Sequence, residues 1–385
     1  MKRKLRIGVA GLGRGFTFML PTFARDARVA LVGAADTRAT ARQLFAREFQ
    51  AKTFDTVEAL CADPEVEVVY VATPHQFHAQ HASAAARAGK HLLIEKPMAI
   101  ALSECDTIME AVRKANIQLV VGHSHSFDAP YARARAMIDS GEFGSVRMIT
   151  ALNFTDFVYR PRRPEEMDTA KGGGAIFSQA AHQVDIVRLL AAARVTSVRA
   201  VAGDWDRARS MDGAYAAFLT FEHGATATLT YSGYGNFASD EWQGWIGEMG
   251  QKIIPRSKER LKFSDAADEA TFKQSLNYGG ENYRPAKTDP AGHHTFGTVI
   301  VSCERADVRP LPSGVMVYRQ GASAFTPLPA PTIPRIEVID ELYDAVVNGV
   351  TPKHDGQWAK DTLDVCLAMS RSSQEGREIN LKDQN

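Results

Sequence analysis

The sequence predicts an α/β protein of two domains: an N-terminal doubly wound parallel sheet, then a C-terminal α+β domain built on an open, mainly antiparallel sheet. Three observations predict this. The chain has 385 residues, and at about 100–200 residues per domain that length suits two cores. Up to residue 125, short apolar runs alternate with helical patterns, the order of a parallel sheet covered by helices. Beyond about residue 198, strand-like runs follow one another without helices between them, the order of an antiparallel or mixed sheet. The change of texture places the domains at 1–125 and 126–385.

Leu5–Ala10, Val29–Ala35, Val66–Thr73, His91–Glu95 and Gln118–Gly122 are short, β-branched and apolar on both faces, and so read as buried strands. Between them Phe16–Arg25, Ala39–Phe49, Phe77–Ala88 and Ser103–Ala115 read as helices, with Gly89 placed to end the third. A helix at Ala129–Ile138 leads to a strand at Val146–Phe154, and another helix follows Gly172-Gly173-Gly174. Strands then succeed one another at Val198–Asp204, Tyr215–Phe221 and Ala225–Tyr231. The polar, weakly periodic stretch 255–292 predicts loops and a short exposed helix. Strands return at Thr298–Cys303 and Val315–Tyr318, and Pro327–Pro331 reads as an extended connector. Ile336, Ile339, Leu342, Tyr343 and Val346 then mark one face of a helix. Apolar residues alternating through Tyr215–Phe221 and Ala225–Tyr231 are expected to give the second sheet an outer face needing a partner, which predicts a homo-oligomer, dimer or tetramer, assembled through that sheet.

Apolar residues make up 45% and charged residues 23%, a globular balance. Lys plus Arg equals Asp plus Glu at 45 each, so no global field favours nucleic acid or an acidic membrane. Cys61, Cys105, Cys303 and Cys366 are far apart and form no C-x-x-C pair, which argues against a zinc knot or a secreted disulfide framework and for a cytoplasmic address. Glycines and Arg14 interrupt the first apolar stretch too early for a signal-peptide core. No apolar run approaches the roughly 18 residues of a membrane span.

The first strand runs into Gly11-Leu12-Gly13-Arg14-Gly15-Phe16. Its first two glycines permit a tight turn and let backbone N–H groups approach a pyrophosphate at a helix N-terminus; the third lies one place early, with Phe16 in its position. Such a turn alone is ordinary. Asp36, ending the second strand about 20 residues on, stands where a carboxylate would hold ribose hydroxyls, and the pair predicts a dinucleotide site. Asp36 favours NAD, although Arg38 could take a 2′-phosphate.

Lys96, in Glu95-Lys96-Pro97, ends the fifth strand on the side where such sheets bind ligands. A nicotinamide there would lower its pKa and fit it for proton transfer; otherwise it is a surface lysine before a turn. Ser178, His182 and Asp185 share one helix face, a polar stripe turned to water or to a polar cleft, with a structural histidine as the alternative. His75, His78 and His81 have no accompanying carboxylate and only the last two share a face, so no metal site is assigned. His123 and His125 follow the sixth strand near the same crevice. Arg160, Arg162 and Arg163 are either solvated partners of Glu165, Glu166 and Asp168 or ligands for a substrate carboxylate.

Ala10-Gly11-Leu12-Gly13, Thr73-Pro74-His75 with His78, Ala88-Gly89-Lys90-His91, Glu95-Lys96-Pro97 and the triple glycine with His182 and Asp185 resemble the glucose-fructose oxidoreductase/inositol dehydrogenase (Gfo/Idh/MocA) family over essentially the whole chain. The resemblance implies a nicotinamide-binding Rossmann domain, an open-sheet second domain and oligomeric assembly. It places Lys96 and His182 at the family's catalytic lysine and histidine. It also implies Gly11, Gly13, Arg14, Gly15, Phe16, Asp36, Arg38, Thr73, Pro74, His75, His78, Glu95, Lys96 and Pro97 around the cofactor. Ser178 departs from the aspartate common four residues before the histidine.

His123-Ser124-His125-Ser126-Phe127-Asp128, Asn153-Phe154-Thr155-Asp156-Phe157 with Tyr159-Arg160-Pro161-Arg162-Arg163-Pro164, and Phe177-Ser178-Gln179-Ala180-Ala181-His182-Gln183 resemble one branch of that family, the phthalate 4,5-cis-dihydrodiol dehydrogenases, whose pattern includes Ser178. This implies NAD-dependent oxidation of a cis-diol on a dicarboxylated cyclohexadiene to a catechol, a substrate whose two adjacent carboxylates would need about two arginine partners. His125, Arg160, Arg162, Arg163, Ser178, His182 and Asp185 would then surround the substrate. The alternatives are a sugar or cyclitol dehydrogenase of the same family using NAD(P), and a silent dinucleotide sensor, which has no need of both Lys96 and His182.

Overall fold

The strand at Leu5–Ala10 (β1) buries five of its six residues, and in the structure, a computed structural model describing residues 3–255, 260–285 and 289–381, it lies at the middle of the first sheet. Around it come α1 (Arg14–Arg25), β2 (Val29–Ala35), α2 (Ala39–Phe49), β3 (Lys52–Phe54), α3 (Val57–Ala62), β4 (Val68–Val71), α4 (His78–Arg87), β5 (His91–Ile94), α5 (Leu102–Ala115) and β6 (Leu119–Val121). All strand pairs are parallel, in the order β3-β2-β1-β4-β5-β6. This is the Rossmann order, in which the chain reverses direction beside β1 and opens a ligand crevice at the carboxyl ends of β1 and β4. β3 and α3 are absent from the sequence reading because β3 is a three-residue edge strand beginning on an exposed lysine, and an edge strand needs no apolar run.

The second domain contains α6 (Ala129–Asp139), β7 (Val146–Phe154), α7 (Ala181–Ala191), β8 (Val195–Gly203), β9 (Ala214–Phe221), β10 (Thr226–Ser232), α8 (Ala266–Ser275), β11 (Thr298–Cys303), β12 (Asp307–Leu311), β13 (Gly314–Arg319), β14 (Ala322–Pro327), α9 (Ile336–Asn348), α10 (Gly356–Glu375) and β15 (Ile379–Asn380). Its sheet runs β14-β13-β12-β11-β7-β10-β9-β8-β15. Among these pairs β7–β10 is parallel and the others are antiparallel. The inner face buries Ile149, Ala151, Leu219, Phe221, Leu229 and Tyr231 against α6, α7 and α10.

The outer face differs from its expectation. Tyr215, Leu219, Phe221, Leu229 and Tyr231 all point inward. What faces outward is Phe218 with Thr226, Thr228 and Thr230, flanked by exposed Met148, Val201 and Ile300.

Two C-terminal helices return to the first domain. Val338, Ile339 and Leu342 of α9 join the core that holds Leu5, Phe16 and Tyr70. α10, started by an Asp355 side chain accepting from the Trp358 N–H at 2.8 Å, sends Leu363 into the first-domain core and Val365, Cys366 and Met369 into the second. The four cysteines are unpaired. Among the described residues no helix is long and apolar enough to cross a membrane.

Candidate active site

The crevice is built first by the turn after β1. Gly11 sits at φ +95°, and a Cβ there would lie 2.9 Å from the Ala72 carbonyl oxygen, so only glycine keeps the turn this close to β4. Gly13 caps α1 without a side-chain bond, leaving the first N–H groups of the helix for an anion. Arg14 stacks on Phe18 at 4.2 Å; burial and the nearby Arg160 and Arg335 lower its pKa, the mark of a cationic zone beside the turn. Phe16 touches no cleft: it is fully buried, edge-on to Tyr278 at 5.1 Å.

Asp36 accepts from the Leu12 N–H at 2.8 Å, and from the Arg38 N–H at 2.8 Å and Nε at 3.1 Å. Arg38 also donates to the Leu12 carbonyl at 2.8 Å and the Tyr278 carbonyl at 3.1 Å. The turn, the free helix end and this carboxylate together fit a dinucleotide.

The loops after β4 and β5 are joined by His78, whose ring nitrogens lie 2.8 Å from the Thr73 carbonyl and 3.0 Å from that of Pro97. His78 is fully buried, so it supports Thr73-Pro74 and Pro97 instead of touching a cofactor as the sequence suggests. His75 is partly buried, with burial, His78 and Lys96 holding its pKa at about 3. Glu95 lies beneath the glycine turn, its carboxyl raised by burial and bonded to the Tyr70 hydroxyl.

Lys96 donates from Nζ to the Ser178 carbonyl at 2.6 Å; the backbone of Ser178 makes this contact. Burial lowers the lysine to about 8, with Glu95 and Glu248 opposing. Ser178 lies in a π-helical turn, Ile176–Ala180, that precedes α7; such turns recur at functional sites because they widen the local backbone. The turn delivers His182 to the same cleft, where burial, Lys96 and His125 push its pKa well below the usual value. Its ring centroid is 4.7 Å from that of His125 and 5.0 Å from that of Phe296.

His125 is held by Asp128, Nδ1 to Oδ2 at 2.6 Å, and its Nε2 faces Glu248 Oε1 at 3.5 Å. Burial opposes its charge, but Asp128 and Glu248 outweigh it and raise the pKa. Glu248 is likewise opposed by burial, yet His125, Arg160 and Lys96 hold it at about 2. His123 also bonds Asp128, Nε2 to the other carboxylate oxygen, Oδ1, at 2.7 Å.

Three expected substrate ligands are engaged elsewhere. Arg162 donates to the Phe157 carbonyl at 2.6 Å and stacks on the Phe157 ring at 3.7 Å. Arg163 pairs with Glu165 and Glu166. Asp185 is buried, accepting from Ser124, Ser126 and Trp358. Asp185 has spent its bonding capacity inside the protein, as a buried carboxylate must, and the two arginines are held by partners of their own loop, with the Arg162 Nε left without a hydrogen bond among the described residues. Arg160 is the exception. It pairs with Asp156 at 2.8 Å and keeps 44% of its side chain accessible, while Glu248 and Tyr231 stand close enough to act on its charge. Glu248 and Tyr231 had no local signal in the sequence, since Glu248 lies in an aperiodic loop and Tyr231 reads as one more core position of a strand.

A family model described as "Oxidoreductase family, NAD-binding Rossmann fold" matches residues 5–123, and one described as "GFO/IDH/MocA C-terminal domain" matches residues 131–248. The 1-carboxy-3-chloro-3,4-dihydroxycyclohexa-1,5-diene dehydrogenase of Comamonas testosteroni is 45% identical over 372 residues, 95% of this chain and 94% of its own. The NAD(+) scyllo-inositol 2-dehydrogenase of Bacillus subtilis is 29% identical over 51% of this chain and 57% of its own. A solved structure from Bordetella bronchiseptica superposes with TM-score 0.91 at 38% identity, covering 98% of this chain and all of that one.

Proposed function

The chain belongs to the Gfo/Idh/MocA oxidoreductase family, and on that premise we propose that it is an NAD-dependent dehydrogenase oxidising a carboxylated cis-dihydrodiol of the cyclohexadiene type to the corresponding catechol. The observation that carries this reading is the grouping of Lys96, at about 8, with His182 and the accessible Arg160 around one cleft at the carboxyl end of the Rossmann sheet. When bound, NAD accepts the hydride from the carbinol carbon. Lys96, in its neutral form, takes the hydroxyl proton, because His182 is too weakly basic in this environment to compete. His182 orients the reacting oxygen. Tautomerisation of the resulting hydroxyketone then gives the aromatic diol.

Arg160 supplies the carboxylate contact. With Arg162 and Arg163 engaged, a single accessible guanidinium, that of Arg160, supports recognition of one carboxylate over two. Arg160→Ala is expected to raise KM for a carboxylated dihydrodiol about tenfold or more, the scale of a charged hydrogen bond, without a matching loss for the decarboxylated analogue. A panel of mono- and dicarboxylated dihydrodiols, inositols and aldoses, read by reduced-nicotinamide absorbance, tests the function. Preference for a neutral polyol would defeat it.

NAD is expected to bind tens- to hundreds-fold more tightly than NADP, since Asp36 would face the 2′-phosphate across a partly desolvated site. Arg38 could offset this only by leaving Asp36, Leu12 and Tyr278, to which it is already bonded. Fluorescence titration of both cofactors decides it, and tighter NADP binding would reverse the assignment.

We also place the protein in the reducing cytoplasm, which the four unpaired cysteines support, and assign it a homo-oligomeric state through the second sheet. The row of Phe218, Met148, Ile300 and Val201 across its outer face supports a covered surface. Sedimentation of the wild type is expected to give a dimer or tetramer, and Phe218→Glu to shift it toward monomer. A wild-type monomer at working concentration would refute the assignment.

A further inference from the structure

We propose that His125, His182 and Glu248 form a binding site for one divalent transition cation of zinc's class, in the cleft beside Lys96. The inference rests on the reading of this cleft as the active site. One ligand atom from each residue lies within 4.8 Å of the other two, close enough that small side-chain shifts would bring all three onto a single cation with bonds of about 2.0–2.2 Å.

The spacing is informative in detail. His125 Nε2 and Glu248 Oε1 stand 3.5 Å apart. A charge-assisted hydrogen bond closes to about 2.7–2.9 Å, whereas the edge of a tetrahedron with zinc's bond lengths is about 3.4 Å. The other nitrogen of His125 is tightly closed, with Nδ1 at 2.6 Å from Asp128 Oδ2. In metal sites a second carboxylate takes the far N–H of a ligating histidine in this way, fixing the tautomer that turns Nε2 to the cation.

His182 gives a second, independent observation. It is only 6% exposed, and its Nδ1 is buried without a hydrogen-bond partner among the described residues. A buried imidazole nitrogen left unpaired is costly, and an unseen ligand is one of the few reasons for it. Two imidazoles and one carboxylate suit zinc or a neighbouring transition metal; magnesium and calcium would require an oxygen cage.

Three protein ligands leave a coordination position open, as in catalytic metal sites. Lys96 is near enough for Glu248 to act on its charge and for its charge to act on His182. A vicinal diol can offer its oxygens to that open position, so the cation would hold and polarise the hydroxyl whose proton Lys96 removes.

The test uses untagged, chelator-treated protein without substrate or NAD, titrated with Co²⁺ and followed by its visible d–d absorption. One Co²⁺ per chain, displaced by Zn²⁺, is expected. Glu248→Gln should weaken binding by at least about 100-fold, with His125→Gln as the second variant. Absence of a d–d spectrum at equimolar Co²⁺, or equal binding in wild type and both variants, would overturn the proposal and leave Glu248 to accept a hydrogen bond from the diol directly. Because neither substrate nor NAD enters the readout, the two readings fail separately. A Co²⁺-binding protein inert to every dihydrodiol would lose the proposed function and keep this site; an active dehydrogenase that takes up no Co²⁺ would do the reverse.

Discussion

Lys96→Ala is expected to lower turnover of a carboxylated cis-dihydrodiol by about 100-fold or more while leaving NAD affinity nearly unchanged, the scale of a lost acid/base group. A proton acceptor must be neutral when the reaction begins, and an ordinary lysine at neutral pH is almost wholly charged. Here burial brings Lys96 down to about 8, so a useful fraction is neutral near physiological pH, and its Nζ is anchored by one bond to Ser178. The sign follows: turnover should rise with pH up to about 8 and level off above it. Lys96→Arg separates basicity from charge, because a guanidinium stays protonated throughout; it should fail as badly as alanine. Loss of His182 should be of similar size, through the orientation of the hydroxyl. Near-normal turnover in Lys96→Ala, or a flat wild-type profile between pH 6 and about 9, would show that another group takes the proton.

The parts of this site legible in the sequence are those whose chemistry is local. Gly11, Asp36 and Lys96 each end a strand, and a strand in a parallel sheet fixes where its last residue projects, so naming the strands was enough to place them. Helical spacing likewise put Ser178, His182 and Asp185 on one face. It could not say that the face turns inward and divides, with His182 left for the cleft and Asp185 consumed by Ser124, Ser126 and Trp358. Glu248 meets His125 across 123 residues of sequence, through a loop without periodicity, and nothing local marks it. α10 was illegible for a related reason: packing against both cores spreads its apolar positions over more than one face, which erases the single stripe by which a helix is recognised. The arginine run was visible as charge, but charge alone cannot distinguish Arg160 from Arg162, which is stacked on Phe157.

Asp185→Ala is expected to destabilise the protein by about 2–4 kcal/mol, from several buried donors left unpaired at about 1–3 kcal/mol each with partial relaxation. The carboxylate joins three segments: Ser124 and Ser126 from the loop after β6, its own helix α7, and Trp358 with Thr362 from α10. The serines can fall back partly on each other and, for Ser126, on His354 at 2.8 Å. The Trp358 indole N–H is a donor only, and Asp185 is the acceptor it meets. Asp185→Asn should lose less, because the amide oxygen can still accept from Trp358 while its NH₂ donates to a serine. The loop pinned by this network carries His125, so both variants should lower turnover in the folded protein in proportion to their loss of stability, with no selective rise in KM for the carboxylated substrate. Denaturation midpoints and kinetics on the same preparations test this. If Asp185→Ala kept the wild-type midpoint and raised only the substrate KM, the carboxylate would be a ligand in the cleft, and the internal network assigned to it here would be wrong.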